Sequence, residues 1–196
     1  MNYFWDIYHS DWGDILLISS HKGLLRLSLP SQDPKKILDA FMIQSDGILT
    51  HHENSTIEKT KKQLHQYFNQ QRKNFFIPLD LVGTDFQKSV WHALRGIAFG
   101  QTVSYQEIAQ QIDCPNGSRA VGMANHHNPI PIIIPCHRVI SKNGLLGGFA
   151  DNTQACLSLK QALLDLEKTT LDLDYTGSAD TSASVVFMQQ SFSSES

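Results

Sequence analysis

The sequence predicts an α/β N-terminal domain, a small sheet with helices, followed by a mainly α C-terminal domain that contains a helix-turn-helix. Three observations point there. The first 30 residues hold apolar or alternating runs of strand length. After Thr84 the apolar positions recur at helical spacing behind capping boxes. The change of pattern falls near Val82-Gly83. The expected division is residues 1–82, residues 83–168 and a polar tail over 169–196, within a 196-residue chain large enough for a buried core.

Trp5 and Ile7, then Ile15-Leu16-Leu17-Ile18, then Leu24-Leu25-Arg26-Leu27-Ser28-Leu29 read as strands, with turns at Gly13 and Lys22-Gly23. Pro30 and Pro34 end that stretch. A short helix follows over 35–44, with Ile37, Leu38, Phe41 and Met42 on one face. A second helix is expected over 56–72, opened by a Ser55/Glu58 capping box and carrying Ile57, Leu64, Tyr67 and Phe68. Phe75-Phe76-Ile77 with Leu79 and Leu81 reads as a further strand.

In the second half, Thr84 and Gln87 form a capping box before a helix with Phe86, Val90, Leu94 and Ile97 in phase, ended by Gly100. Ser104 and Glu107 cap a helix over 105–112, and Cys114-Pro115-Asn116-Gly117 turns the chain into a helix over 118–126. A last helix is expected over 157–168. The Ser-, Thr- and Asp-rich remainder predicts disorder, apart from a weak apolar patch at Val185-Val186-Phe187-Met188.

The formal net charge is −3. From Thr169 onward there is no Lys or Arg, while Asp172, Asp174, Asp180 and Glu195 are acidic; residues 1–168 therefore hold 16 basic and 15 acidic side chains. A nearly neutral body attracts phosphates weakly at long range, so a nucleic-acid site has to be local. No apolar run reaches membrane-span length and the N-terminus lacks a signal-peptide pattern, which predicts a cytoplasmic chain with no membrane partner. Cys114, Cys136 and Cys156 form no CxxC pair, which favours free thiols, and His51, His52 and His65 have no zinc-ligand spacing. No metal and no cofactor are expected.

Two short helices around a four-residue turn have helix-turn-helix dimensions, although such pairs also occur in ordinary cores. The second helix carries Ser118, Arg119, Gly122 and Met123 beside Ala120 and Ala124. Small residues let a helix lie close to a sugar-phosphate backbone, or equally close to another helix. Arg119, one cation amid small residues, is placed to enter a groove or replace an extruded base.

The run Pro129-Ile130-Pro131-Ile132-Ile133-Ile134-Pro135-Cys136-His137-Arg138-Val139-Ile140 presents a thiol beside an imidazole and a guanidinium. The thiolate is the nucleophile; a cation or a basic His favours it and burial opposes it. Adjacency in sequence does not place His137 against Cys136, so a buried structural cysteine remains the alternative at this level.

With Ile134 before it, Pro135-Cys136-His137-Arg138-Val139 resembles the active-site signature of the O6-alkylguanine-DNA alkyltransferases (methylated-DNA–protein-cysteine methyltransferases). Thr84-Asp85-Phe86-Gln87, Val90-Trp91, Ala93-Leu94, Phe99-Gly100, Val103-Ser104-Tyr105, Ser118-Arg119-Ala120-Val121-Gly122, Ala124-Asn125, Asn128-Pro129 and Gly148-Phe149-Ala150 follow in that family's order. Ser10-Asp11-Trp12-Gly13 and Gly23-Leu24 resemble its looser N-terminal pattern.

The resemblance implies a ribonuclease H-like N-terminal domain, a winged-helix-like C-terminal domain, and irreversible, stoichiometric transfer of an alkyl group from O6-alkylguanine to Cys136. By the same resemblance His137 relays the thiol proton, Glu167 orients that His, and Asn128 braces the turn. Tyr105 helps rotate the nucleotide and hydrogen-bonds the purine, while Arg119 fills the vacated stack. Ser118, Ala120, Gly122 and Met123 face the DNA. The carbonyls of Cys136 and Val139 and the N–H of Ala150 contact the base. The expected partner is double-stranded DNA containing O6-alkylguanine, met by a monomer.

The match departs after Ala150, where the family has two glycines and this chain has Asp151-Asn152-Thr153-Gln154-Ala155-Cys156, about four residues longer. Asp151 and Asn152 tolerate the backbone angles that glycine allows, at a cost. The alternatives to repair are a non-catalytic protein that binds alkylated DNA, a helix-turn-helix regulator and a cysteine hydrolase.

Overall fold

The computed structural model of the protein describes residues 1–150 and 152–176. Strands β1 (Asn2–Ser10), β2 (Gly13–Ser19), β3 (Leu24–Leu27) and β4 (Ile48–His51) form one sheet in the order β3-β2-β1-β4. β1 pairs antiparallel with β2, in a hairpin whose register runs from Phe4↔Ser19 to Ser10↔Gly13, and parallel with β4. Ile15 through Ser19 are all buried, because β2 lies inside the sheet and is contacted by helices α1 (Pro34–Gln44) and α2 (Ser55–Phe68). Such a strand reads as a continuous apolar run rather than an alternating one.

In the first half of the chain, four local readings differ from expectation. β4 was not expected: Ile48 is 71% exposed, so this edge strand has no alternating apolar signature and is set by its pairing with β1. The Ser55/Glu58 box does not form. Asn54 is the cap, its side chain accepting from the Ile57 N–H at 3.0 Å, and Ser55 is already helical. α2 stops at Phe68, with Gln70 at φ 60°, short of the expected 72. Residues 75–81 make a single bridge, Leu24↔Leu79, instead of a strand; Pro78 has no N–H to offer a ladder, and Phe76 is 77% exposed.

The second half is helical: α3 (Asp85–Arg95), α4 (Tyr105–Gln111), α5 (Ser118–His126) and α6 (Gln154–Thr176). Thr84 with Gln87 and Ser104 with Glu107 both form the expected reciprocal capping boxes. α3, α4 and α5 pack on one another, and the buried Trp91 indole donates to the Ala124 carbonyl at 2.9 Å. β5 (Val103–Ser104) pairs in parallel with β6 (Val139–Ile140). α6 begins earlier than expected and continues to Thr176, where an irregular tail was expected from 169; Thr170 is buried there. The patch at Val185 to Met188 lies outside the described residues.

One buried cluster runs from Ile15 and Leu17 of β2 through Leu64 and Tyr67 of α2 to Trp91, Leu94, Leu159 and Leu163. The two halves therefore share a core, and the Leu27 N–H donates across it to the Pro129 carbonyl at 2.9 Å. Among the described residues no helix is long and apolar enough to cross a membrane.

Candidate active site

The segment 129–135 has the composition of a strand but not the form of one. Prolines at 129, 131 and 135 remove ladder donors, and the chain coils so that the Ile134 N–H donates to the Ile130 carbonyl at 2.9 Å. Ile132 is held at φ 72°, a conformation that a β-branched residue rarely adopts. This coil delivers Cys136 into a single 3-10 turn, Cys136–Arg138. Asn128 secures the arrangement. Its Nδ2 donates to the Ile134 carbonyl at 2.8 Å and to Cys136 Sγ at 3.1 Å, and its Oδ1 accepts from the Ile130 N–H at 3.1 Å.

The turn sends three adjacent side chains to different places. Cys136 is 4% exposed at the wall of a cavity of about 430 Å³, which Tyr105, Ser118, Arg119, Gly122 and Met123 also line. His137 points inward, fully buried, with Nε2 at 2.9 Å from Glu167 Oε1. Arg138 turns from the thiol to Glu167, donating from Nε at 2.9 Å to Oε2 and from Nη2 at 2.9 Å to Oε1. Its Nη1 donates to the Ile97 carbonyl at 2.7 Å, and its guanidinium lies over the Phe99 ring.

Glu167 also accepts from the Tyr67 hydroxyl at 2.8 Å and the Gly100 N–H at 2.8 Å. Burial opposes its ionisation, but the hydrogen bonds and charges of His137 and Arg138 outweigh that and hold its pKa at about 2. Glu167 is thus a carboxylate that only accepts, so His137 Nε2 must carry the proton it shares with Oε1. The other ring nitrogen, Nδ1, is then the basic one, and it is buried without a hydrogen-bond partner among the described residues. Burial, more than Glu167 compensates, pulls the His137 pKa below its ordinary value, so the ring is neutral near pH 7 and able to accept a proton. Burial likewise pushes the Cys136 thiol up, against the downward pull of the Asn128 hydrogen bond and of Lys160. An un-ionised thiol and a neutral base sit on neighbouring residues.

The structure brings together Cys136, His137, Asn128 and Glu167, and places Tyr105, Ser118, Arg119, Gly122, Met123 and Ala150 on the cavity wall. Ala120 is exposed on α5 outside that wall, and Arg119 and Met123 are exposed as well. Tyr105 donates to the Gly148 carbonyl at 3.2 Å. Val139 does not line the cavity; its carbonyl accepts from Lys160 at 2.7 Å and its N–H donates to the Cys136 carbonyl. Both carbonyls expected to meet the base thus already have donors.

At the lip, Ala150 (φ 47°) and Asn152 (φ 59°) are left-handed, and Asp151 lies outside the described residues. Asn152 compensates by accepting the Phe149 N–H on Oδ1 at 2.8 Å; Ala150 has no side chain to do so. A left-handed non-glycine costs about 1 kcal/mol. Ala150→Gly is expected to raise unfolding stability by no more than about 0.5 kcal/mol in urea denaturation, because glycine's entropy loss on folding offsets most of the relieved strain.

Sequence reasoning missed Tyr67, Gly100 and Lys160. Tyr67 was read as part of an apolar stripe, which it is, with its hydroxyl reaching 100 residues along the chain. Gly100 was read as a helix stop; at φ 73°, a Cβ there would lie 2.2 Å from Leu171 Cδ1. Lys160 has no signal in the sequence that sets it apart from a surface lysine, yet it is fully buried.

Residues 3–81 match the family of the 6-O-methylguanine DNA methyltransferase ribonuclease-like domain, and residues 85–169 match that of the 6-O-methylguanine DNA methyltransferase DNA binding domain. A methylated-DNA–protein-cysteine methyltransferase of Methanosarcina barkeri is 40% identical over 168 residues, spanning 86% of this chain and 99% of the relative. The inducible one of Bacillus subtilis is 37% identical over 166 residues, 84% and 90% of the two chains. The crystal structure of Mycobacterium tuberculosis OGT in complex with DNA superposes with a TM-score of 0.69 at 37% identity, covering 87% of this chain and 94% of that one.

Proposed function

The chain belongs to the methylated-DNA–protein-cysteine methyltransferase family, and on that premise we propose that it repairs DNA by moving the alkyl group of O6-alkylguanine onto Cys136. The observation that carries this is the unpartnered Nδ1 of His137, its tautomer held by an ionised Glu167, one residue from a buried thiol in a cavity beside α5.

The thiol proton passes to His137 Nδ1 through one bridging water, since Sγ and the ring make no direct hydrogen bond. The thiolate then attacks the O6-alkyl carbon. A carbon–sulfur bond forms, the carbon–O6 bond breaks, and its electron pair stays on the purine, which takes up a proton from solvent while His137 releases the thiol proton to solvent. Water does not hydrolyse the thioether product, so each molecule acts once. Tyr105 exchanges Gly148 for the purine as acceptor; that bond strengthens as charge develops on the leaving base.

The damaged nucleotide has to leave the duplex to reach a thiol only 4% exposed. We assign α4 and α5 as a helix-turn-helix in a winged-helix-like domain spanning residues 83–168, with residues 1–82 as the ribonuclease H-like domain; the family matches over 3–81 and 85–169 support the division. The exposed Arg119 at the cavity mouth takes the place of the extruded base. Arg119→Ala is expected to slow repair of a duplex about tenfold or more, a loss of at least about 1.4 kcal/mol, while reaction with free O6-benzylguanine changes less than about twofold. Equal losses on both substrates would remove the base-replacing role.

The test of the function is incubation with an O6-methylguanine oligonucleotide followed by intact and peptide mass spectrometry. One methyl on Cys136, at one equivalent and no more, is the expected result. An unmodified Cys136, or repair beyond one equivalent, overturns it.

A further inference from the structure

Asn125, on the cavity side of α5, is a buried amide whose side chain makes no hydrogen bond among the described residues. It is 9% exposed and lines the cavity of Cys136 and Tyr105, yet neither Nδ2 nor Oδ1 has a partner. An interior amide left this way is costly, and native chains satisfy nearly all such groups. Among the described residues, Asn125 is the one side chain with both a buried donor and a buried acceptor left over. One turn earlier on the same face, a Cβ added at Gly122 would lie 3.9 Å from Tyr105 Cε1, so the Tyr105 ring packs along this stretch of helix.

Other polar groups around the cavity are engaged. Asn152 Oδ1 accepts from the Phe149 N–H, His126 Nδ1 is paired with the Ala150 carbonyl, and the Gly148 carbonyl accepts from Tyr105. The carbonyls of Cys136 and Val139 have donors of their own. Asn125 thus offers an unused donor and an unused acceptor side by side in one plane. O6-alkylation removes the proton from guanine N1, so the edge of the lesion presents an acceptor at N1 beside the donors of its 2-amino group. Unmodified guanine presents donors at both places, and either orientation of the amide then sets its NH₂ against one of them.

We propose that Asn125 is a specificity-determining residue for the lesion: Nδ2 donates to N1 of the extruded base and Oδ1 accepts from its 2-amino group, a pairing that O6-alkylguanine completes and guanine does not. The base reaches the amide as Tyr105 releases Gly148, the exchange that transfer already requires. This rests on O6-alkylguanine being the substrate, so the test reads binding without requiring alkyl transfer. Full-length Cys136→Ala protein is prepared with Asn125 kept or replaced in Asn125→Leu and Asn125→Ser. Each is titrated with duplexes carrying O6-methylguanine, guanine, or O6-methylhypoxanthine, which is the lesion without its 2-amino group.

With Asn125 in place, removal of the 2-amino group is expected to weaken binding about tenfold. In Asn125→Leu and Asn125→Ser, O6-methylguanine should bind about tenfold more weakly, and the two lesions should bind within about twofold of each other. The preference for O6-methylguanine over guanine should shrink by about the same factor. A packing role for Asn125 would lower both lesions equally, and an unchanged ratio between them overturns the proposal. If neither replacement folds, the side-chain amide resonance of Asn125 decides it: the resonance should move with O6-methylguanine and not with O6-methylhypoxanthine, and the same position with both overturns the proposal. Transfer by the parent protein is measured separately. A flat set of ratios in a protein that methylates Cys136 removes this contact and leaves repair standing. The expected ratios in a protein that does not methylate Cys136 uphold the contact and remove repair.

Discussion

Cys136→Ala is expected to abolish alkyl transfer completely while leaving affinity for an O6-methylguanine duplex within about threefold of the parent, a change under about 0.7 kcal/mol. The two readouts separate because the surfaces are separate. Cys136 is buried at the cavity wall and its Sγ accepts from Asn128 at 3.1 Å, whereas Arg119, Ala120 and Met123 are exposed on α5. Removing the sulfur leaves one amide donor of Asn128 without its second acceptor, although Nδ2 still reaches the Ile134 carbonyl. The fold therefore has little reason to change. Denaturing gels with radiolabelled alkyl donor and a gel-shift titration read the two quantities, and residual transfer by the variant would sink the assignment of Cys136.

The second large effect is expected at Glu167. Replacement by Gln keeps the volume but puts an NH₂ group against some of the donors that converge there: Tyr67 Oη, Gly100 N, His137 Nε2 and the Arg138 guanidinium. It also leaves Arg138 a buried cation without its carboxylate. Breaking a buried pair from one side costs about 3–5 kcal/mol, a large share of a stability of roughly 5–15 kcal/mol. Transfer should fall by about 10²–10⁴-fold in the fraction that folds, because His137 no longer has a fixed basic nitrogen. Thermal melting and single-turnover kinetics at low temperature distinguish the two losses. A variant that melts and reacts like the parent removes Glu167 from both roles.

The same carboxylate sets the acid limit. Its folded pKa of about 2 lies below the ordinary 4.5, so its contribution is complete above pH 4.5 and is lost as pH falls from there toward 2. The difference of about 2.5 units amounts to about 3 kcal/mol. His137, depressed by burial, acts in the same direction: the unfolded chain gains its proton first as pH falls below about 6.5, which lowers stability. Urea midpoints are expected to decline from pH 7 to 5 and more steeply below 4.5, and the steep part should vanish in Glu167→Gln.

Much of the fold was legible because its signals are local. The capping boxes at Thr84 and Ser104 act over three residues, and both form. The apolar run at Ile15 to Ile18 is the buried strand it suggested. Where the sequence misled, the deciding partner was distant. The exposed β4 exists through β1, and Asn54 took the cap that Ser55 and Glu58 are spaced to form. The family resemblance carried Cys136, His137, Asn128 and Glu167 onto this chain, and the insertion at 151–156 did not displace Glu167 from His137.

By itself the sequence determined the family, the two kinds of domain, and the residue types able to hold and deprotonate a nucleophile, since these depend on composition, periodicity and short-range order. Only the tertiary structure decided where each of them points. Three consecutive side chains leave one 3-10 turn for a cavity, a base dyad and a salt bridge, and Tyr67, Gly100 and Lys160 arrive from elsewhere in the chain to complete them. The physical reason is that desolvation and hydrogen bonding, which set the charge of a buried thiol, imidazole or carboxylate, are properties of what surrounds a group in space, and sequence neighbours supply only a part of those surroundings.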